Sequence, residues 1–391
     1  MQPTSDREVT MRILSALRRN ELGAVSIIMA ISMFVVIGFV AFAVDMGYLR
    51  AKKADLQKAA DIAALAGGHA LISYGNDLPK VRAKVTEFGH SNLHSSDSPA
   101  AALQDSDITF YLNGVPDITS PNQIEVSITR STGRANPLPS IFGTVLGVDE
   151  FDVSASARAS ATAMCSTKCL KPFSVPDKFT YTEVDGDGEL TTTNPQEMSS
   201  VVVQGYSEAD LGTPITLKIG DPKDTIVPGQ FNPINFPPVN KAAPISGAAA
   251  YRENIEGCTG SSSAMAVGIN DELQLEPGNM TGPTSQGIAD LIAQDGGAYW
   301  DAATQSIKGS AYADPLNSPR IALIAFYDPT RPPVSGRNSI FVNFIGAVFV
   351  EGMSGKDVTG RFVRTMAVDP DSGSEGNCLS YVFKFVRDSS R

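Results

Sequence analysis

Residues 24–44, AVSIIMAISMFVVIGFVAFAV, run for 21 positions without a charged side chain. A helix of that length, rising about 1.5 Å per residue, crosses a hydrocarbon core of about 30 Å. Ser26, Ser32 and Gly38 alone interrupt the apolar character. The nearest rival, SIFVNFIGAVFV at 339–350, is short, contains Gly346 and is rich in Val, Ile and Phe, which reads as a buried strand. Any fold for this chain must therefore be attached to one membrane-length helix near its start. Arg18 and Arg19 precede the run and Arg50, Lys52 and Lys53 follow it, so a plain count of flanking cations is nearly balanced. The preceding flank is short, and all four cysteines lie beyond the run. We therefore expect residues 1–23 in the cytoplasm, 24–44 in the membrane and the remainder outside. Ala41-Phe42-Ala43 fits a signal-peptidase site, but the run is longer than a secretory h-region and continues helically, so a retained anchor is expected.

Charge divides at the same place. Residues 1–58 hold eight Lys/Arg and five Asp/Glu, a net of +3, within a chain of net −11; the rest therefore carries −14. An acidic body argues against nucleic acid as a partner. His69, His90 and His94 are the only histidines, and no G-x-S-x-G, P-loop or dinucleotide fingerprint occurs. Neither an enzyme nor a small-molecule substrate is expected.

Beyond the run, residues 45–68 (DMGYLRAKKADLQKAADIAALAGG) favour a helix, with Leu49, Leu56, Ala59, Ala60, Ala63 and Ala64 forming a small-residue stripe. Gly67-Gly68 reads as a stop or loosening. A membrane helix that continues as an amphipathic stem is a pilin-like architecture.

The order of motifs resembles the N-terminal region of Flp pilus-assembly TadG-like (TadE/TadG-like) proteins. Arg18-Arg19-Asn20-Glu21-Leu22-Gly23-Ala24 stands before the run, and Asp45-x-Gly47-Tyr48 follows it. Then come Leu56-Gln57-x-Ala59-Ala60-Asp61-x-Ala63-Ala64-Leu65-Ala66-Gly67. The resemblance covers about 18–68. It implies a membrane-anchored component of tight-adherence pilus machinery in a bacterial inner membrane, its body periplasmic or surface-exposed, with other pilus-assembly or pseudopilin-like proteins as partners. Processed pilins of this system resemble one another in a Gly followed five residues later by Glu; here Gly23 is followed at that spacing by Ile28. A buried Glu in the membrane is costly and kept only for function, so its absence suits a stationary anchor rather than a polymerising subunit. The stem is expected to pack laterally against other small-residue stems in the membrane.

The body reads as α+β. A unit over 69–163 should contain a helix at 77–92, strands at 107–112, 123–129 and 150–159, and a helical turn at 140–147. Residues 164–391 should form a β-rich ectodomain. Its expected strands are Val201–Gln204, Pro214–Ile219, Ile321–Tyr327, Ile340–Val350, Arg361–Val368 and Tyr381–Val386, with a helix at Ser285–Gln294. The Pro-rich run at 228–244 reads as a long surface loop.

One segment suggests a cofactor. Glu183-Val184-Asp185-Gly186-Asp187-Gly188-Glu189-Leu190 offers oxygen ligands at positions 1, 3 and 5, a Gly at 6 and an apolar residue at 8, as in a calcium loop. Glu189 would contribute its backbone carbonyl, and Asn194 stands at position 12 where a bidentate acid is usual. A solvated acidic turn is the competing reading, and a calcium-dependent surface adhesin is the function that a real site would imply. Asp152-Val153-Ser154-Ala155-Ser156 and the His90/His94 pair are weaker metal signals, more simply read as a strand with small residues and a surface pair. Cys165, Cys169, Cys258 and Cys378 lack paired C-x-x-C spacing and are expected to form two structural disulfides, in any of three pairings.

Overall fold

The computed structural model describes residues 5–218, 225–226, 232–278, 280–333 and 339–386. Helix α1 spans Ser5–Tyr74, 70 residues. No proline occurs between Pro3 and Pro79, so nothing in the sequence interrupts its hydrogen-bond ladder. From Val25 to Val44 its side chains are almost all exposed; from Leu56 onward one face is buried. It ends at Gly75, whose φ of +55° closes the last turn with an N–H donated to the Leu71 carbonyl at 3.0 Å. The expected stop at Gly67-Gly68 is therefore corrected. These glycines let the helix lie close to its sheet: a Cβ at Gly67 would sit 2.7 Å from Ile124 Cδ1 and 2.9 Å from Val85 Cγ2. At Gly68 it would meet Ala159 Cβ and Phe383 Cβ at 3.3 Å.

Helix α2 (Leu78–Ser91) follows, with Pro79 in its first turn and Asp77 as N-cap. The main strands are β1 (Ile108–Leu112), β2 (Gln123–Arg130), β3 (Val153–Met164), β4 (Leu170–Pro176), β5 (Pro214–Lys218), β6 (Ile321–Tyr327), β7 (Ser339–Ser354), β8 (Asp357–Val363) and β9 (Ser380–Phe385). Among the described residues they form two principal sheets. The first runs Val115–Pro116, β1, β2, β3, β9, Thr365–Met366, so a strand from the far end of the sequence completes the sheet that cradles α1. In β2 the alternation is complete: Ile124, Val126, Ile128 and Arg130 are buried, and their neighbours are half-exposed. Leu56, Ala59, Ala60, Ala63, Ala64 and Leu71 of α1 pack on this face with Val81 and Val85 of α2. The small-residue stripe is thus used within the chain, against its own sheet, and is not free to receive other stems; the lateral packing expected above is corrected.

The second sheet runs β5, β8, β7, β6, β4, Asn232–Pro233, with Glu272–Gln274 pairing to β7; β6 and β4 are parallel. β7 covers the rival apolar run, and its segment from Phe344 to Val350 is buried throughout. Helices α3 (Ala248–Glu256) and α4 (Thr281–Ala293) supply Tyr251, Ile255, Ile288 and Leu291 to its core. The Pro-rich run is corrected in part: residues 232–238 are buried, because Asn232 and Pro233 form an edge strand on β4, where a missing N–H is tolerated. Residues 228–231 of that run lie outside the described residues. Taken together the body is α+β with a β-rich C-terminal part.

Candidate functional site

The most elaborate local arrangement lies where α1 leaves its charge-free run. Asp45 is the first charged residue after it, yet the side chain is only 6 % exposed. Its carboxylate accepts hydrogen bonds from the backbone N–H of Ile141 (2.9 Å), Phe142 (3.1 Å) and Gly143 (2.6 Å), and from Ser140 Oγ (2.8 Å). These donors lead into a short 3-10 turn, Gly143–Leu146, whose first N–H groups have no partner of their own within the turn. The expected helical turn at 140–147 is thus present in shorter form. Gly143 is required there: a Cβ would collide with Ser140 Oγ and lie 2.8 Å from the Val148 carbonyl and 3.2 Å from Asp45 Oδ2. The base of this loop is a two-residue pairing of Leu138–Pro139 with Glu150–Phe151. Leu138 is buried in the core beneath α1, and Phe151 packs against it with Tyr48 and Leu49.

The stem also reaches the second half of the body. His69 Nε2 lies 3.2 Å from Asp314 Oδ2, and Arg364, next to Gly75, pairs with Glu208 at 2.9 Å. A cleft of about 1200 Å³ opens between the two halves, lined in part by Asp177, Tyr206, Glu208, Asn343, Arg364 and Tyr381. Burial pushes the Asp177 carboxyl up, against hydrogen bonds from Asn343 and two backbone N–H groups. Burial acts the same way on Glu208, but the Tyr381 hydroxyl (2.7 Å) and Arg364 outweigh it and hold its carboxyl below the ordinary range. Burial raises Tyr206 to about 12. Both acids are thus occupied by neighbouring donors, and Glu208, through Tyr381 of β9, joins the two halves.

In the acidic segment, Glu183, Asp185 and Asp187 bring one oxygen each within 4.8 Å of one another, all exposed. Glu183 accepts from the N–H groups of Val184, Asp185 and Gly186, and the Gly186 bond leads in holding its carboxyl below the ordinary range. Desolvation first, then donation to Glu183 at 3.1 Å, raises the Tyr181 hydroxyl to about 12. Glu189 donates its N–H to Asp187 at 2.8 Å. Asn194 is turned to another task. Its Oδ1 caps the helix Pro195–Ser200 and its Nδ2 donates to Asp185 at 3.2 Å. Glu197, fully buried, ties the segment down by accepting from the N–H groups of Val184 and Thr191.

The cysteines form Cys165–Cys378 and Cys169–Cys258, with Cα atoms 5.2 and 5.0 Å apart. The first fastens the end of β3 to the chain entering β9. His90 is used within the fold, its Nε2 lying 3.2 Å from the Leu103 carbonyl. Asp152 receives the Thr132 N–H at 2.9 Å.

Against this geometry stands one match to known proteins. Residues 23–70 match the model of the putative Flp pilus-assembly TadE/G-like family. No curated protein and no solved structure matches the chain. The Tad-like segment therefore comprises the charge-free run, Asp45 and the stem as far as Ala70. Its resemblance residues fall where the packing is close: Ala59, Ala60, Ala63 and Ala64 are fully buried, and Gly67 leaves no room for a Cβ beside Ile124 and Val85. Gln57 donates to Asp61 at 2.8 Å and to the Ser156 carbonyl at 2.9 Å, fastening the stem to β3. Sequence reasoning placed Asp45 in the motif without giving it a partner. The available signal was an acid next to a charge-free run together with a second uncharged stretch, 140–148, far downstream. Glu197 carried no signal, since its role depends on a helix cap that turns it inward.

Proposed function

We propose that this protein is a membrane-anchored, non-enzymatic component of the Flp tight-adherence pilus assembly system, with its N-terminus in the cytoplasm and its acidic body in the periplasm or at the cell surface. The observation that carries the reading is the Tad-like match at 23–70 on a helix long and apolar enough to cross a membrane. Because the stem is built into the core of the first sheet and reaches the second half through His69 and Asp314, anchor and body move together. That suits a rigid stalk presented to other pilus proteins. Two disulfides fit an oxidising compartment. Deletion of the gene should reduce surface pili seen by electron microscopy, and restoring the full chain should recover them. Pili and adhesion both at normal levels in the deletion strain would refute the assignment.

A calcium-dependent adhesin is a second reading, favoured by the convergence of Glu183, Asp185 and Asp187. In this reading Glu189 supplies a carbonyl, and Asn194 must give up its cap before its oxygen can serve. Millimolar calcium should raise the melting midpoint of the wild type and leave Asp185→Asn unmoved; an unmoved wild type removes the site.

A further inference from the structure

We infer that the loop 140–148 is a second membrane contact, a foot lying at the boundary of lipid headgroups and acyl chains beside the exit of α1. The inference rests on the reading of 24–44 as membrane-spanning. Ser140–Val148 (SIFGTVLGV) contains no charged residue, and charge resumes at once with Asp149 and Glu150. Ile141 is 49 % exposed, Phe142 43 %, Val145 78 % and Val148 42 %. Four large apolar side chains left open on one short loop ask for a covering surface.

Three observations identify that surface as lipid. First, the carboxylate that pins the loop belongs to the residue directly after the charge-free run, so Ile141, Phe142 and Gly143 are held within hydrogen-bond distance of the membrane exit. Second, the loop runs toward the membrane side. Its residues Phe142, Gly143 and Val148 line a small hollow that extends from Leu49, beyond the exit, back to Ala41 and Phe42 inside the run. Third, the exposed loop residues extend the bare apolar surface of the helix itself, where Phe39 and Phe42 are 70 % and 61 % exposed. Arg50 and Lys53, exposed about 7 and 12 Å along the helix beyond Asp45, place cations where headgroup phosphates would lie. A foot of this kind fixes the tilt and rotation of the helix through the body, which a single span cannot do.

The test uses the full chain in vesicles of phosphatidylcholine and phosphatidylglycerol. All four native cysteines are in disulfides, so one introduced thiol at a time can carry an environment-sensitive fluorophore. The positions are Val145→Cys in the foot, Met33→Cys within the run and Val184→Cys on the acidic segment. Doxyl quenchers are placed on the lipid either near the headgroup or deep in the chain. The expected result is blue-shifted emission at 145 with at least twofold stronger quenching by the shallow lipid, deep quenching at 33, and neither at 184. Deep quenching at 33 with a probe at 145 that behaves like the one at 184 overturns the foot and leaves the span intact. An unquenched probe at 33 overturns the span itself, and the foot with it. A probe at 145 shielded from aqueous iodide yet untouched by either lipid shows a protein occupant and also overturns the inference.

Discussion

Replacing Asp45 by alanine should free the loop 140–148 without unfolding the body. The carboxylate accepts from three backbone N–H groups and one hydroxyl, and a hydrogen bond to a charged acceptor contributes roughly 1.5–3 kcal/mol. The full sum is not expected, because water can reach part of the opened loop and Gly143 keeps its bond to Ser140 Oγ at 2.7 Å. Two such bonds at the lower end give a loss of about 3 kcal/mol in local opening free energy, close to a hundredfold. Hydrogen exchange in lipid nanodiscs reads this directly, since exchange reports local opening free energies segment by segment. The amides of Ile141, Phe142 and Gly143 should exchange about a hundredfold faster, at that lower-end sum, while those of Ile124–Ile128 in β2 stay protected. Asp45→Asn should fall between, because one amide oxygen can still accept while its NH2 faces donors. Wild-type exchange of the loop in Asp45→Ala would refute the clamp. Equal acceleration in β2 would show that Asp45 supports the whole core instead.

Further outcomes follow from the same packing. Gly47 and Gly67 lie in one helix, so Gly→Ala should gain about 1 kcal/mol of helix propensity at either; a Cβ at Gly47 meets nothing within 4 Å, whereas at Gly67 it strikes Ile124 and Val85. Thermal melting should therefore show Gly47→Ala neutral to stabilising and Gly67→Ala destabilising, since overpacking costs about 1–3 kcal/mol. Lys171 is buried and its amine is lowered to about 8 from 10.5 by that burial. Between those pH values the unfolded chain binds the extra proton, so wild-type stability should rise with pH across that window, and below it the cost is present in full, about 3 kcal/mol. Lys171→Met should thus melt higher at pH 7, with the advantage shrinking through pH 8–10, as followed by circular dichroism; a constant advantage would contradict burial as the cause. Non-reducing peptide mapping should return Cys165–Cys378 and Cys169–Cys258, and a mixed pattern would contradict the placement of β9.

Local pattern carried much of this architecture. The charge-free run is legible by its length, the helix at 77–92 and the strand at 123–129 by their periods, and the strands at 321–327 and 340–350 by their β-branched and aromatic content. What the sequence did not show depends on pairing across distance. Nothing near residue 381 says that it will lie against Ala163, more than two hundred residues earlier. The two glycines at 67 and 68 look identical to a stop signal until the sheet is present, because a glycine that ends a helix and one that admits a neighbour differ only in what stands opposite. Asn194 fitted a ligand position by count, but its cap and its bond to Asp185 are set by a helix whose start the count could not see.

The same distinction bears on what a Tad-like N-terminus means. In a subunit that polymerises through its first helix, a stripe of small residues must remain open to neighbouring helices. Here that stripe is spent: Ala59, Ala60, Ala63 and Ala64 are buried in the core shared with α2, β2 and β3, Gln57 is bonded to the Ser156 carbonyl, and the helix reaches the second half of the body through His69 and Asp314. Freeing it for another helix would expose a buried core and break the Asp45 clamp's support. Among the described residues of this helix, the apolar stretch left open for helix or lipid is Val25–Val44, together with the apolar loop beside it. If the run anchors the chain as proposed, the stem stays with its own body rather than exchanging with a partner's, which is the arrangement expected from Ile28 standing where processed pilins of the resembled family carry glutamate.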